Sequence, residues 1–415
     1  MYSFKGSDCL RCKGAHPSLY CGKAFCPLVV RANSMFKVKE YIGKENFFGS
    51  SPAPFVGRFG YPDVNVGILS PPEQREDAWL FDAPRTWSAK SFQIPQIVDY
   101  RSALINSRFT ANVRSRNKLL EVSQEVGMAS KPTDVEISLT KKPFFRMSYF
   151  PDVAPMGPTA SLKSIEITSN PKIDVRVEKV FSDTDLKARD ALLYLYSHNF
   201  DEGFLTRLLS VATIGLKPDR RFVPTRWSIT AVDDILGKDL IRKVKGFGRF
   251  AEYSAYFGSY LGNYYLVLLF PEVWSYELFE MYQPRASWNV TDKLSYMTDN
   301  EGYDGRKDYA SNCEGGYYAA RLPILEKLNT LGRQASVLAI RVITGEYAVP
   351  LGVWVVREAV RKAMEAKPIV FASKELMLKY AELLINRKFS FGLPQITENS
   401  KLIKNLKSQK KLADF

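Results

Sequence analysis

Histidine is almost missing from this chain of 415 residues: His16 and His198 are the only two. Chemistry that passes protons through imidazoles therefore has little to work with. No G-x-x-x-x-G-K-[ST] stretch occurs, which argues against a phosphate-loop ATPase. Long apolar runs are lacking too. The longest, residues 264–270, is far too short to span a bilayer and reads as a buried strand, so no membrane is expected as a partner. The opening Met1-Tyr2-Ser3-Phe4-Lys5 lacks the apolar core of a signal peptide. The expectation is a soluble protein that is cytoplasmic (nucleoid-associated) and not secreted. No internal repeat is present. Cysteine is scarce beyond the first 26 residues, where Cys313 stands by itself and reads as an inert buried thiol.

What is present is positive charge. Lys and Arg number 58 against 44 Asp and Glu, a net charge of +14 with a pI near 9.3. Such an excess points to a polyanionic partner, with nucleic acid first in line. The charge gathers in separated segments: Lys217, Arg220, Arg221 and Arg226; Arg242, Lys243, Lys245 and Arg249; and a C-terminal series from Lys401 through Lys411. Several basic segments suit a surface that tracks phosphates on DNA better than a single basic tail would. Hydrophobic residues at 46% and charged residues at 25% are ordinary for a globular chain, and the length suggests two or three structural units.

Four of the five cysteines form two short-spaced pairs, Cys9-x2-Cys12 and Cys21-x4-Cys26, separated by eight residues. Two thiolate pairs at this spacing can converge on one tetrahedral zinc, and Gly14 and Gly22 supply turns beside them. His16 is a fifth candidate donor for four positions. Two disulfides would need an oxidising compartment, to which nothing in the chain points. A structural zinc knuckle over residues 1–30 is the expectation.

Residues 31–70 read as short strands and turns, 71–96 as Pro-punctuated loops, and 97–126 as a helical pattern. A strand is expected at 135–139, and helices near 186–195 and 202–214. Toward the C-terminus a helix is expected at 317–331, a buried strand at 335–343, and helices at 351–366 and 373–386, with Ser373 as the last one's cap. Mixed strands and helices indicate an α/β or α+β core over 31–396, and if it divides into two subdomains the break is expected near 180. From 397 to 415 the chain becomes polar and Lys-rich, a flexible basic tether.

Aromatic residues are dense at 250–282, twelve in 33 residues. Exposed, they could stack on unpaired bases; the better-supported reading is a strand pair turning near Gly258 or Gly262 with its rings buried. Asp299, Glu301, Asp304, Asp308 and Glu314 could hold hard cations such as Mg²⁺, although a solvated acidic loop reads better. No catalytic residue is assigned.

The last seven residues read Gln409-x-x-Leu412-x-x-Phe415. In one helical turn Leu412 and Phe415 form a single apolar plug, with Gln409 at its rim. This resembles the PIP motif by which DNA-processing proteins hang on the replication sliding clamp (PCNA), in a form shortened to one aromatic. Two further blocks, Phe55-Val-Gly-Arg-Phe-Gly-Tyr-Pro-Asp-Val-Asn-Val-Gly67 and Asp219-Arg-Arg-Phe-Val-Pro-Thr-Arg-Trp-Ser-Ile-Thr-Ala-Val-Asp-Asp234, resemble core blocks of the archaeal Nre family. The resemblance covers essentially the whole chain and includes a four-cysteine box and a C-terminal clamp peptide, mapping onto Cys9, Cys12, Cys21, Cys26 and onto Gln409 through Phe415. It implies DNA damage repair together with the sliding clamp, and leaves the biochemical activity open. The alternatives are a metal-dependent or nucleotide-using enzyme acting on damaged DNA, delivered by the same tail, and an RNA-binding factor.

Overall fold

Two hydrophobic patterns give two kinds of strand here. Residues 133–139 alternate, burying Val135, Ile137 and Leu139 and turning Glu136 outward, whereas residues 336–343 are apolar apart from Ser336 and Arg341 and are buried throughout. The computed structural model describes residues 6–39, 43–145, 154–286, 288–289 and 291–408. The chain divides into two compact units, one of Pro27–Leu236 and one joining the residues up to Cys26 with those from Gly237 onward. The boundary thus falls between Leu236 and Gly237, inside a helix, and not near 180. Both units are mixed α/β, as expected.

Two short helices, α1 (Gly6–Cys12) and α2 (Pro17–Tyr20), open the chain. The Pro27–Leu236 unit begins with α3 (Pro27–Val38), so a helix precedes the strands expected after residue 31. Its strands are β1 (Asn46–Ser51), β2 (Ala53–Val56), β3 (Asp63–Ser70), β4 (Ile105–Asn112), β5 (Thr133–Leu139) and β6 (Thr159–Ile167). They form one sheet in the order β1-β5-β6-β4-β3-β2, antiparallel except for β4 beside β6. The pattern read as helical over 97–126 separates into α5 (Ile94–Ser102), strand β4 and α6 (Lys118–Met128), following the short α4 (Pro84–Ala89). Leu104 and Ile105 continue the helical spacing of apolar residues, but β4 pairs with β3 from Ile105↔Ser70 to Asn112↔Asp63, and that pairing decides the outcome. Asn117 then starts α6 afresh by accepting the Leu120 N–H at 3.0 Å. Val122 and Val126 of α6 pack with Ile68, Ile105, Val135 and Ile137 of the sheet. Next come α7 (Val175–Ser182), α8 (Ala188–Ser197), α9 (Glu202–Ser210) and the long α10 (Thr225–Lys245).

In the other unit, a two-stranded ribbon joins β7 (Gly248–Arg249) to β12 (Arg333–Gln334). The main sheet comprises β8 (Tyr253–Tyr260), β9 (Asn263–Phe270), β10 (Ser275–Tyr282), β11 (Ser295–Glu301), β13 (Ser336–Ile343) and β14 (Ile369–Phe371), in the order β11-β10-β13-β9-β8-β14. The hairpin of β8 and β9 turns at Leu261-Gly262, and Tyr256, Tyr260 and Tyr265 are buried, which bears out the buried-strand reading of the aromatic segment. One face of the sheet carries α11 (Glu314–Leu331) and α12 (Trp354–Glu365); Tyr276 of β10, for instance, donates its hydroxyl to the Tyr317 carbonyl of α11. The opposite face, with Leu268, Phe279 and Ile340, packs against α13 (Lys374–Phe389), α14 (Pro394–Thr397) and α15 (Lys401–Ser408). Ser373 caps α13 as expected, accepting the Leu376 N–H.

Helix α15 occupies sequence that reads as flexible tether. Its Leu402 and Ile403 are buried, and the buried Glu277 carboxylate of β10 accepts the N–H groups of Lys401 at 3.0 Å and Leu402 at 3.1 Å as well as the Ser400 hydroxyl. An anion at the free donors of a helix start holds the helix in place. The tether reading therefore does not hold for residues 401–408. No helix among the described residues is long and apolar enough to cross a membrane.

Candidate nucleic-acid interface

The two blocks singled out in the sequence meet within the Pro27–Leu236 unit. Val56 at the end of β2 donates its N–H to the Thr225 hydroxyl at the start of α10, at 3.0 Å. Between β2 and β3 the chain turns through residues 57–62. Gly60 sits at φ +85°, and a Cβ there would come within 2.6 Å of the Asp63 carbonyl oxygen, so the turn requires glycine. The turn carries Phe59, 77% exposed, and Tyr61, 44% exposed. Trp227, in the first turn of α10 and 45% exposed, meets Tyr61 with ring centroids 5.2 Å apart and planes tilted by 52°.

Backbone hydrogen bonds bring arginines to the same place. Val113 donates to the Pro62 carbonyl at 3.0 Å, and Phe222 donates to the Val113 carbonyl at 2.9 Å. Arg114, Arg116, Arg221 and Arg226 therefore emerge beside the aromatic turn, all exposed, and Arg58 lies 4.9 Å from the centre of the Phe59 ring. Arg220 does not join them. Its guanidinium turns inward to the carbonyls of Phe181 at 2.7 Å, Gly215 at 2.8 Å and Asp183 at 2.8 Å, so its role is to tie loops together. Sequence reasoning missed Phe59 and Tyr61 as surface rings. The available signal was their place in a Gly-Arg-Phe-Gly-Tyr-Pro turn, where a side chain has no strand face to bury it.

The second basic cluster belongs to the other unit. Arg242 and Lys243 share Asp239 at 2.6 and 2.9 Å, Lys245 lies 4.2 Å over the Tyr303 ring, and Arg249 pairs with Glu272 at 3.4 Å. Three of these four close α10, where cations complement the helix dipole.

Cys9 and Cys12 lie three residues apart in α1, Cys21 caps α2, and Cys26 immediately precedes α3. The segment between the last two docks on the loop after β13: Ala24 donates to the Gly345 carbonyl at 3.2 Å, and a Cβ on Gly345 would lie 2.0 Å from the Gly22 oxygen. Burial raises the Cys21 thiol pKa, and Cys12 and Cys26 are near enough to push it the same way. Four sulfur donors suit zinc in chemistry. Their positions do not close on one point, since among the described residues no three His, Cys, Asp or Glu side chains form a metal cage and Cys9 faces outward.

Asp299 and Glu301 are neither solvated nor open to cations. On β11 they are buried: Asp299 pairs with Arg306 at 3.0 Å and accepts the N–H groups of Asn312 and Cys313, and Glu301 pairs with Arg321 at 2.7 Å. Asp304, Asp308 and Glu314 remain exposed. Beside this cluster the buried Glu280 holds Arg341, which also bonds Asn263. Cys313 is buried as expected, and burial, reinforced by Glu280 and Asp299, pushes its thiol pKa well up. A cleft of about 370 Å³ in the Pro27–Leu236 unit is lined by Ser34, Lys37, Arg75, Phe81, Asp99 and Tyr100 among others; there Asp99 accepts from Ser34 at 2.6 Å and Lys37 at 2.5 Å. Gln409, Leu412 and Phe415 lie outside the described residues.

The chain matches known proteins along most of its length. The family description "Archaeal Nre, N-terminal" matches residues 20–289, and "Archaeal Nre, C-terminal" matches 301–415. The chain is 37% identical to DNA repair protein NreB of Archaeoglobus fulgidus over 399 residues, 96% of this chain and 97% of that protein. It is 38% identical to DNA repair protein NreA of the same organism over 92% of this chain and 94% of that protein. Against DNA repair protein NreA of Haloferax volcanii it is 38% identical over 78% of this chain and 79% of that protein. No solved structure matches. On both family matches and on identity along nearly its whole length, this chain belongs to the archaeal Nre family.

Proposed function

We propose that this chain is a DNA repair factor that holds DNA on the arginine and aromatic surface of its Pro27–Leu236 unit and is brought there by the sliding clamp through Gln409, Leu412 and Phe415. The observation that carries the reading is the meeting of residues 57–62, 113–116 and 221–227, which places exposed arginines around exposed rings. Relatives named DNA repair proteins support the cellular role. Asp299 and Glu301 are held in ion pairs, so nothing in that cluster favours a cation-dependent nuclease over a binding factor.

The test is salt dependence. Each phosphate contact adds about 0.9 to the slope of log affinity against log salt. Replacing Arg114, Arg221 and Arg226 together by Ala should lower that slope by ~2–3 and weaken binding more than tenfold near 0.1 M salt. Anisotropy titrations at several salt concentrations measure it. An unchanged slope, or no DNA binding by the wild type at low salt, would refute the surface.

The cysteine segment is proposed to hold one structural zinc on Cys9, Cys12, Cys21 and Cys26, with Cys9 turning inward to complete the set. Its spacing supports this, as does the nearness of Cys12 and Cys26 to Cys21. Protein prepared without chelator should contain one zinc per chain, and Cys9→Ser or Cys21→Ser should release it and loosen the segment. Chelation should then expose four thiols to a labelling reagent within minutes, while Cys313 reacts only in denaturant. Elemental analysis finding no zinc would end the proposal.

A further inference from the structure

Resting on the DNA-binding reading, we infer that the preferred ligand of the Phe59–Tyr61–Trp227 surface is single-stranded DNA, its unpaired bases stacking on these rings while Arg58, Arg114, Arg221 and Arg226 hold the adjoining phosphates. Single exposed apolar side chains are ordinary and occur elsewhere on this protein, but Phe59, Tyr61 and Trp227 are aromatic, exposed and gathered around one turn, and such a patch marks a binding surface. The rings are held in position before any ligand arrives. Gly57 donates its N–H to the Asn65 carbonyl at 2.8 Å and Asp63 to the Gly60 carbonyl at 2.9 Å, which pins the turn carrying Phe59 and Tyr61; Trp227 stands on the first turn of a 21-residue helix, and Tyr61 and Trp227 brace each other at 5.2 Å. A fixed ring loses little freedom when a base lands on it.

The chemistry separates single strands from duplexes. In a duplex each base face is covered by its neighbour, so a protein ring finds only edges and sugars; an unpaired strand offers a π face at every nucleotide. Arginines around the rings serve either form, because both present phosphates. Charge also separates nucleic acid from a protein partner. Residues 58–63, 112–117 and 219–227 carry five exposed arginines, Arg58, Arg114, Arg116, Arg221 and Arg226, against the carboxylates of Asp63 and Asp219. Of those carboxylates, Asp63 already accepts from Asn112 at 3.0 Å. A polyanion with flat faces fits that surface.

The full-length protein would be titrated against a fluorescent oligothymidylate of about twenty nucleotides, a duplex of equal length and an oligouridylate. Wild type is expected to bind the DNA single strand at least tenfold tighter than the duplex. Phe59→Ser and Trp227→Ala should each weaken single-strand binding roughly tenfold and duplex binding by much less, and the quenching of tryptophan fluorescence that the strand causes in wild type should shrink in Trp227→Ala. Trp227→Phe should retain most of the affinity. Phe59 is so exposed that its replacement leaves the fold intact, so it carries the test even where Trp227→Ala does not fold. The inference is overturned if wild type binds duplex as well as single strand, if the ring variants lose both alike or neither, or if oligouridylate binds more tightly. Failure of wild type to bind any DNA would instead overturn the parent reading, and binding of both DNA forms that depends on the arginines alone would leave that reading standing while removing this one.

Discussion

Replacing Arg321 by Met is expected to remove about 3–5 kcal/mol from the stability of the unit built from Gly237 onward. The Arg321 and Glu301 side chains are 1% and 0% exposed and meet at 2.7 Å, and the guanidinium also lies against the rings of Tyr317 and Tyr318, 5.6 and 5.3 Å from their centres. Met fills much of the same volume, so packing loss is a minor part of the effect. The larger part comes from Glu301, left as a carboxylate in an apolar interior without its countercharge. The double variant Arg321→Met with Glu301→Leu removes both charges and is expected to recover most of the loss, because an apolar pair avoids the desolvation that the ion pair must offset. Urea unfolding of the full chain, read as midpoint and slope, measures both. A single variant within 1 kcal/mol of wild type would mean that water reaches Glu301.

Why this pair was not legible in the sequence is a matter of parity. Asp299 and Glu301 belong to a stretch rich in Asp, Asn and Gly, whose composition signals a loop. In the fold, residues 295–301 form an edge strand against β10, and period two sends 299 and 301 to the face covered by α11, where Arg321 and Arg306 meet them. The arginines that make the strand possible come from elsewhere in the chain, and no local pattern announces them. The same reason hid the surface rings, since exposure of Phe59 and Trp227 is a property of what fails to cover them. It also explains Arg220, a cation among cations in the sequence, whose neighbours in space are carbonyl oxygens. By contrast, elements that rest on local chemistry were readable: the alternation of β5, the apolar run of β13, the Ser373 cap and the hairpin at Gly262. Helix α15 lies between these cases. Its Leu402 and Ile403 are visible in the sequence, but a stretch so rich in lysine becomes a docked helix only because Glu277 of β10 receives its N-terminus.

Removing Gln409 to Phe415, or changing Leu412 and Phe415 together to Ala, is expected to abolish binding to the sliding clamp while leaving the unfolding midpoint of the protein unchanged. Burying the two apolar side chains contributes ~1.5–3 kcal/mol each, and backbone hydrogen bonds along the clamp add to that. Ordering the segment opposes it. That opposing term is limited here, because α15 is anchored up to Ser408 by Glu277 and by the buried Leu402 and Ile403. The proposed peptide begins at the next residue, so the docked helix carries the chain up to its edge. The balance places the affinity in the micromolar range, on the order of −8 kcal/mol, suited to transient recruitment. The anchored helix supplies a second, graded outcome. Glu277→Ala removes the acceptor at the start of α15 without touching the peptide, loosens the helix that carries it, and should weaken clamp binding by several-fold while the seven-residue deletion removes it entirely. Calorimetry of purified clamp against wild type, Glu277→Ala and the truncated chain separates the three. Equal heats from wild type and truncation would show that residues 409–415 do not bind the clamp, and equal affinities of wild type and Glu277→Ala would show that the anchor plays no part.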